Sequence, residues 1–539
     1  VTPVHNGRFQ PFDGLDLGWL LATQAQARGA HPFIVFEPHD HPPVSIGYAA
    51  FHEQSRRLAA AMLQRGLRPG ERVLLHMDNC IEFMLVWCAC GLAGLVVVTT
   101  NTRSSEDELR YFADHSGAVA AFTQPRLAAL VARSAPQLRW IAVTSHDGGE
   151  PAAQVQLPAR GECFERLLEA AEPAPGPLAR TGPDTPLAIQ FTSGTTSRPK
   201  AVLWTHANAL WAGRVNAVHE GLRVEDVHLC VLPTFHTNAL AYSVLASLWM
   251  GATVVLQARF SSSRYWDVAL RHGCTWASMM GFCYRALMQV ERPAQHAFRQ
   301  WGTAFCDPAV HRTFGIPTVS WWGMTETLTH GIVGVPHMGV RPGTIGRAAP
   351  EYGVRVVGED GQWVEPGQTG TLQILGVPGL SLFQCYDGDR DSTARAFTHD
   401  GWFDTGDQIL VHEDGLLQFA DRRKDMLKVG GENVASSEIE RVIGALPFVA
   451  EVAVIGRPHP MLDEVPVALV LPRADAPTPP AHLVELVLAS CRAQLADFKV
   501  PREVHVVDEF PRANVNKIAK GQLREQWRAR WAAASKEHA

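Results

Sequence analysis

The sequence predicts an α/β protein: a large N-terminal domain of βα subdomains with a β-rich subdomain, and a small α+β C-terminal domain. Three observations lead there. Helix and strand patterns alternate through residues 50–115 and again from Val227 to Met280; turns and alternating strands take over from about residue 343; and a compact mixed unit begins near Arg422. Alternation of the first kind implies parallel sheets covered by helices. A chain of 539 residues is also too long for one ordinary core. The division is expected at residues 1–421 and 422–539.

Each element has its own signature. His52 to Leu63 is amphipathic with helical spacing, Arg72 to His76 reads as a strand, and Leu95 to Val98 as a fully buried one. Phe83 to Val98 is the longest apolar stretch. It is short for a bilayer and interrupted by Gly91 and Gly94, so a buried helix running into a buried strand is expected, with no membrane span. Residues 171–186 are rich in proline and glycine, a linker that delivers the chain to a short strand at Pro186 to Gln190. Leu229 to Leu232 and Val254 to Leu256 read as strands and a helix begins near Tyr265. Further on, Gly353 to Val357 and Gly370 to Leu375 flank turn residues, the pattern of antiparallel hairpins. In the last unit Val452 to Ile455 and Val467 to Leu471 are strands, Ala481 to Leu495 is a helix, and Pro472 to Pro480 is a surface loop.

Composition excludes several classes. Hydrophobic residues make up 46% and charged residues 19%, which describes a packed globule and not a disordered chain. A net charge of -6 gives no electrostatic footprint for nucleic acid. Ten cysteines are scattered without a C-x-x-C pair, against a zinc site or a disulfide framework and in favour of a reducing compartment. The first residues, Val1 to His5, show neither a basic start nor an apolar core of a secretory signal. A cytoplasmic protein is expected.

The chemistry concentrates in Phe191-Thr192-Ser193-Gly194-Thr195-Thr196-Ser197-Arg198-Pro199-Lys200, which follows the strand at Pro186. Hydroxyls, a glycine and a closing lysine after a strand suit a polyphosphate, because such donors converge on anionic oxygens. A Walker-type loop is excluded: Pro199 stands where its second glycine belongs, and Ala201 where its magnesium-binding hydroxyl belongs. Four further motifs follow in order: Trp322-Gly323-Met324-Thr325-Glu326-Thr327, Gly401 to Asp407 (GWFDTGD), Asp421-Arg422-Arg423-Lys424-Asp425 and Asn516-Lys517-Ile518. Together, from about residue 40 to about residue 525, they resemble the adenylate-forming superfamily of acyl-CoA synthetases, peptide-synthetase adenylation domains and luciferases. The Ser197-Arg198-Pro199-Lys200 version is most similar to the crotonobetaine/carnitine–CoA ligase branch.

The resemblance implies a role for each matching residue. Thr192, Ser193, Gly194, Thr195, Thr196 and Lys200 would hold the phosphates of ATP. Glu326 would be the Mg2+ ligand, a hard oxygen for a hard cation, and Thr325 would contact the α-phosphate. Trp322 stands where relatives stack a tyrosine on adenine; an indole has a larger π-face but lacks the phenol. Gly302, Thr303 and Ala304 would lie against adenine, and Asp407 and Arg422 would hold the ribose, the carboxylate as an acceptor-only group. His236 would border the acyl pocket, an assignment preferred to acid–base work because a single histidine on an apolar strip is more often a core residue. Lys517 would bridge the substrate carboxylate and the α-phosphate, a compact charge on a long stem. Lys424 would be the hinge of a mobile C-terminal domain, and Gly430 and Gly431 would line a pantetheine tunnel. Ser197, Ala201, Trp322 and Asn516 depart from the usual pattern.

The expected activity is an AMP-forming ligase that joins a small or medium carboxylic acid to CoA through an acyl-adenylate. Two alternatives stay open: the same adenylation with an amine, a carrier-protein thiol or nitrite as acceptor, and a degenerate nucleotide-binding module. The tryptophans Trp204, Trp211, Trp249, Trp276 and Trp301 would suit an aromatic or a cationic substrate equally.

Overall fold

The computed structural model describes residues 10–152, 155–172, 175–192, 198–335, 341–422, 426–473, 480–511, 518 and 520–537. Clustering of contacts divides the chain into a larger unit (Val1–Thr102, Leu109–Thr192 and Ala201–Asp421) and a smaller one (Arg103–Glu108, Ser193–Lys200 and Arg422–Ala539).

Two sheets carry the larger unit. In the first, of eight strands, Pro186–Thr192, Val96–Thr99, Arg72–His76, Ala118–Thr123, Trp140–Val143 and Gly161–Cys163 run parallel. The expected apolar runs behave as their burial demands: Arg72–His76 and Val96–Thr99 are buried almost throughout, which suits strands covered on both faces. The stretch from Phe83 becomes the helix Ile81–Leu92 followed by the strand Val96–Thr99, as its length and glycines imply. Among the described residues no helix is long and apolar enough to cross a membrane.

The second sheet has thirteen strands. Its parallel part is ordered Pro32–Glu37, Thr253–Gln257, Val227–Cys230, Trp276–Met279, Gln300–Thr303 and Thr318–Trp322. The antiparallel strands expected after residue 343 continue this same sheet beyond Thr318–Trp322, through Ile332–Val333 and Thr344–Ala348. The hairpin Gly353–Val357 and Thr369–Leu375 lies at its far edge. A sheet edge left by the last parallel strand is thus covered by antiparallel neighbours.

The smaller unit has a five-stranded sheet built on a long hairpin, Val449–His459 with Asp463–Pro472. Alternation along it feeds two cores. Val454, Ala468 and Val470 pack with Leu483, Val487 and Cys491 of the helix Pro480–Gln494, while Ala453, Ile455, Val467 and Leu469 pack with Leu523 and Trp527. All ten cysteines are free thiols, most of them buried.

Candidate active site

In the larger unit Thr192, Gly302, Thr303 and Trp322 stand at the carboxyl ends of parallel strands, where open α/β sheets bind their ligands. Thr192 closes the strand Pro186–Thr192; Lys200, which is counted with the smaller unit, opens the strand Lys200–Thr205. Ser193, Gly194, Thr195 and Thr196 lie outside the described residues. Gly302 and Thr303 end the strand Gln300–Thr303, with Ala304 just beyond and half-buried. Trp322 ends Thr318–Trp322 and is followed directly by the turn that carries Thr325 and Glu326. His236 follows the strand Val227–Cys230, half-buried, its ring 4.7 Å from that of Phe235.

Thr325 is fixed by neighbours from three other segments. Thr237 Oγ1 lies 2.7 Å from Gln190 Oε1 and 3.1 Å from Thr325 Oγ1. An amide oxygen only accepts, so the Thr237 proton goes to Gln190 and Thr325 supplies the proton for the second bond. The indole N–H of Trp204 donates to the Thr325 carbonyl at 3.0 Å. Gln190, Thr237 and Thr325 thereby tie the strand that leads into the phosphate loop to the turn expected to hold the metal.

Glu326 is buried, 3% exposed, and its Oε1 accepts from the Tyr386 hydroxyl at 2.9 Å. Burial first, then the Glu326 charge, hold the Tyr386 phenol far above its usual range, so it stays a donor. The Phe383 N–H donates to the Glu326 carbonyl at 2.8 Å. Two residues on, Leu328 adopts φ 63°, a left-handed backbone that a leucine tolerates only when its surroundings impose it.

Asp407 owes its place to a bulge. Thr371 pairs with Gln408 and Gln373 with Asp404, so Thr405, Gly406 and Asp407 face the single residue Leu372. Gly406 takes φ 72°, the Thr405 hydroxyl donates to the Leu372 carbonyl at 2.8 Å, and Asp407 is lifted out of the ladder yet remains 2% exposed. The Trp322 indole N–H donates to Asp407 Oδ2 at 2.8 Å. The substitution of indole for phenol therefore costs the site a hydroxyl but supplies a donor of its own.

Gly302 lies under an indole: a Cβ built there would stand 1.5 Å from Trp321 Cη2. The tryptophans noted as possible substrate contacts are mainly structural. Trp204, Trp276 and Trp301 are fully buried, Trp276 donates to the Glu220 carbonyl at 3.0 Å, and Trp211 to the Tyr352 hydroxyl at 3.2 Å.

In the smaller unit Gly430 and Gly431 join the antiparallel strands Met426–Val429 and Glu432–Ala435, with Val429 opposite Glu432. Their φ values are 58° and 89°, so this is a two-residue hairpin whose turn needs positive φ at both positions. That geometry alone calls for the glycine pair. Arg422 closes the strand Leu417–Arg422; its side chain, Lys424 and Lys517 lie outside the described residues.

For Mg2+ the donor set fits. A buried carboxylate beside a threonine hydroxyl is an all-oxygen arrangement, and magnesium bound with a nucleotide takes one or two carboxylates alongside phosphate oxygens. No group of three or more His, Cys, Asp or Glu side chains arranged for a metal occurs among the described residues, so a cage built by protein alone has no counterpart here. Gln190, Thr237 and Tyr386 escaped the reading of the sequence, and Trp204, expected as a substrate contact, instead donates to the Thr325 carbonyl. For two of them a signal existed: Gln190 directly precedes Phe191-Thr192, and Thr237 directly follows His236.

The AMP-binding enzyme profile matches residues 21–386, and the AMP-binding enzyme C-terminal domain matches residues 438–517. Crotonobetaine/carnitine–CoA ligase from Salmonella arizonae is 32% identical over 521 residues, covering 91% of this chain and 95% of that protein. Among solved structures, a double mutant of o-succinylbenzoate CoA synthetase from Bacillus subtilis, bound with a product analogue, superposes with a TM-score of 0.80 at 25% identity, covering 94% of this chain and 98% of that one. ATP-bound MatB from Rhodopseudomonas palustris superposes with a TM-score of 0.66 at 26% identity, covering 95% and 99%. The matches span both units, and the chain belongs to the AMP-binding enzyme family, among its acyl-CoA ligases.

Proposed function

We propose that the protein activates a small or medium carboxylic acid with ATP and passes the acyl group to CoA. The observation that carries this reading is the gathering of Thr192, Thr303, Trp322, Thr325 and Glu326 at the carboxyl ends of parallel strands, with Asp407 bonded to Trp322. In the first half-reaction a carboxylate oxygen attacks the α-phosphorus, the bond from that phosphorus to the bridging oxygen breaks, and pyrophosphate leaves. Thr325 must turn its proton from Thr237 towards an α-phosphate oxygen, while Lys517 places a positive charge at the same group. Glu326 would hold Mg2+, which when bound would supply positive charge beside the departing pyrophosphate. Asp407, as an acceptor-only carboxylate, accepts from the ribose hydroxyls. In the second half-reaction the CoA sulfur attacks the acyl carbon, the bond to the AMP oxygen breaks, and the thiol proton passes to solvent. Gly430 and Gly431 are assigned to the pantetheine arm and Lys424 to the hinge between the two half-reactions.

CoA is favoured over an amine, a carrier-protein thiol or nitrite because two of the relatives reported above are named as a CoA ligase and a CoA synthetase. The test is ATP–pyrophosphate exchange over a panel of small acids, followed by AMP release with CoA present. Acid-dependent exchange with CoA-dependent AMP release supports the whole reading. Exchange without any response to CoA, but with a response to an amine or nitrite, would replace the acceptor; no exchange with any acid would remove acid activation altogether.

A further inference from the structure

Asn79 joins the two sheets of the larger unit and belongs to none of the nucleotide motifs. It follows the strand Arg72–His76 of the eight-stranded sheet and precedes the helix Ile81–Leu92. The partners of its side chain lie elsewhere, at the ends of two strands of the thirteen-stranded sheet. Its Nδ2 donates to the Leu232 carbonyl at 2.9 Å, beyond the strand Val227–Cys230, and to the Gln257 carbonyl at 3.0 Å, at the end of Thr253–Gln257. Its Oδ1 accepts from the Thr234 N–H at 2.7 Å and from the Thr234 hydroxyl at 2.9 Å. Carbonyls only accept and a backbone N–H only donates, so these partners fix which way the amide faces. Both amide protons and both lone pairs are used, on a side chain that is 2% exposed.

Those bonds seize the base of a short loop whose tip enters the site. Leu232 and Thr234 begin it, and the His236 N–H closes its turn by donating to the Pro233 carbonyl at 3.0 Å. At the tip Thr237 donates to Gln190 Oε1 and accepts from the Thr325 hydroxyl. Gln190 lies on the strand Pro186–Thr192, a member of the same sheet that delivers Asn79. The loop is thus gripped twice by amides of the opposite sheet: Thr234 gives its hydroxyl proton to one, and Thr237 gives its own to the other. Only two residues separate Thr234 from Thr237, so the loop has little slack to absorb a displacement at its base. Directly beyond Thr237 begins the π-helix Asn238–Leu245, and its Tyr242 touches the turn before Thr325: a Cβ on Gly323 would stand 2.4 Å from the Tyr242 hydroxyl.

We infer that Asn79 is a positioning residue for adenylation, setting loop 232–237 so that Thr237 meets the Thr325 hydroxyl at bonding distance. The inference rests on the acid-activation reading above. Asn79 touches no reacting group and acts through Thr234 and Thr237. Its amide does what neither a carboxylate nor an alcohol of similar size could do: it donates to two carbonyls while it accepts two protons.

The experiment measures acid-dependent ATP–pyrophosphate exchange with the full-length protein and the best acid of the panel. Rates are expressed per competent site, counted as acyl-adenylate formed in a single turnover without CoA. Asn79→Ala should lower kcat/KM for ATP about fivefold per competent site, the size of one neutral hydrogen bond, and Thr237→Val should do the same. If Asn79 acts through Thr237, the double variant should also lose only about fivefold; two independent losses would multiply to about twenty-five-fold. A role in stability alone would reduce the number of competent sites and leave the rate at each one unchanged. Thr234→Val keeps the N–H bond to Asn79 and removes the hydroxyl bond. It should fall between wild type and Asn79→Ala, and it decides the matter if the alanine variant does not fold. A wild-type rate per site in folded Asn79→Ala, or in Thr234→Val where that variant must stand in, overturns the inference. So do losses that multiply in the double variant. Either result leaves acid activation itself intact, whereas no exchange with any acid in the wild type sinks both readings.

Discussion

The cluster at the strand ends of the larger unit and the Gly430–Gly431 hairpin of the smaller unit solve different problems by different means. The first is assembled from residues far apart in sequence, and side-chain bonds hold it: Gln190 to Thr237 to Thr325, Trp322 to Asp407, Tyr386 to Glu326. The second is four residues of hairpin whose shape is set by two positive φ angles. A transferring phosphoryl group needs donors that are already in place, because reorganising them during the reaction would cost rate. A turn that only has to remain narrow needs no such bonding. Side-chain bonding fixes the one, and the absence of side chains fixes the other.

Four substitutions test that contrast. The largest effect is expected from Lys517→Ala, which removes the charge proposed to act at the α-phosphate: adenylation should slow on the order of 10²–10³, while a supplied acyl-adenylate should still give thioester. Stopped assays of each half-reaction check this, and an equal loss in both would remove Lys517 from the first step. Next, Gly431→Trp should reduce CoA-dependent turnover by about one to two orders of magnitude, through a blocked passage and a backbone angle that side chains avoid, with ATP–pyrophosphate exchange largely retained. Loss of exchange as well would mean that the hairpin does not belong to transfer alone.

The other two strike the bonded cluster and should slow exchange itself. Trp322→Phe deletes the donor to the Asp407 carboxylate; a bond to a charged group contributes about 1.5–3 kcal/mol, so kcat/KM for ATP should fall about tenfold or more. Thr237→Val breaks a neutral pair of bonds contributing about 1 kcal/mol, and should lower the same quantity about fivefold without moving the KM for CoA. If Thr237→Val instead matched Trp322→Phe, the positioning of Thr325 would outweigh the ribose contact.

The same contrast explains what could be read from the sequence. The strand Arg72–His76, the helix and strand within Phe83 to Val98, and the hairpins around residue 353 were legible because local patterning and turn residues specify them. The joining of the antiparallel strands to the edge left by Thr318–Trp322 was not, since sheet neighbours are chosen over long range. Within the site, Glu326 and Asp407 stand in dense motifs, whereas Tyr386 lies sixty residues from its partner in an unremarkable segment. The π-helix was hidden for another reason: Asn238–Leu245 is apolar on every side, and seven of its eight residues are buried, so no periodicity shows.

That π-helix has a consequence for how the site is aimed. It runs without a break into the α-helix Ala246–Met250, and each residue of an α-helix advances the chain by about 100°. Wider turns delay that rotation, so the direction of Tyr242 depends on the residue count between Thr237 and Ala246 as much as on residue identity. Deleting one residue there would let the segment tighten to the ordinary pitch and re-aim the side chains within it, while the tighter turns make up most of the rotation lost downstream. The length of this segment, and not only its composition, is therefore part of the information that aims Tyr242 at the turn before Thr325.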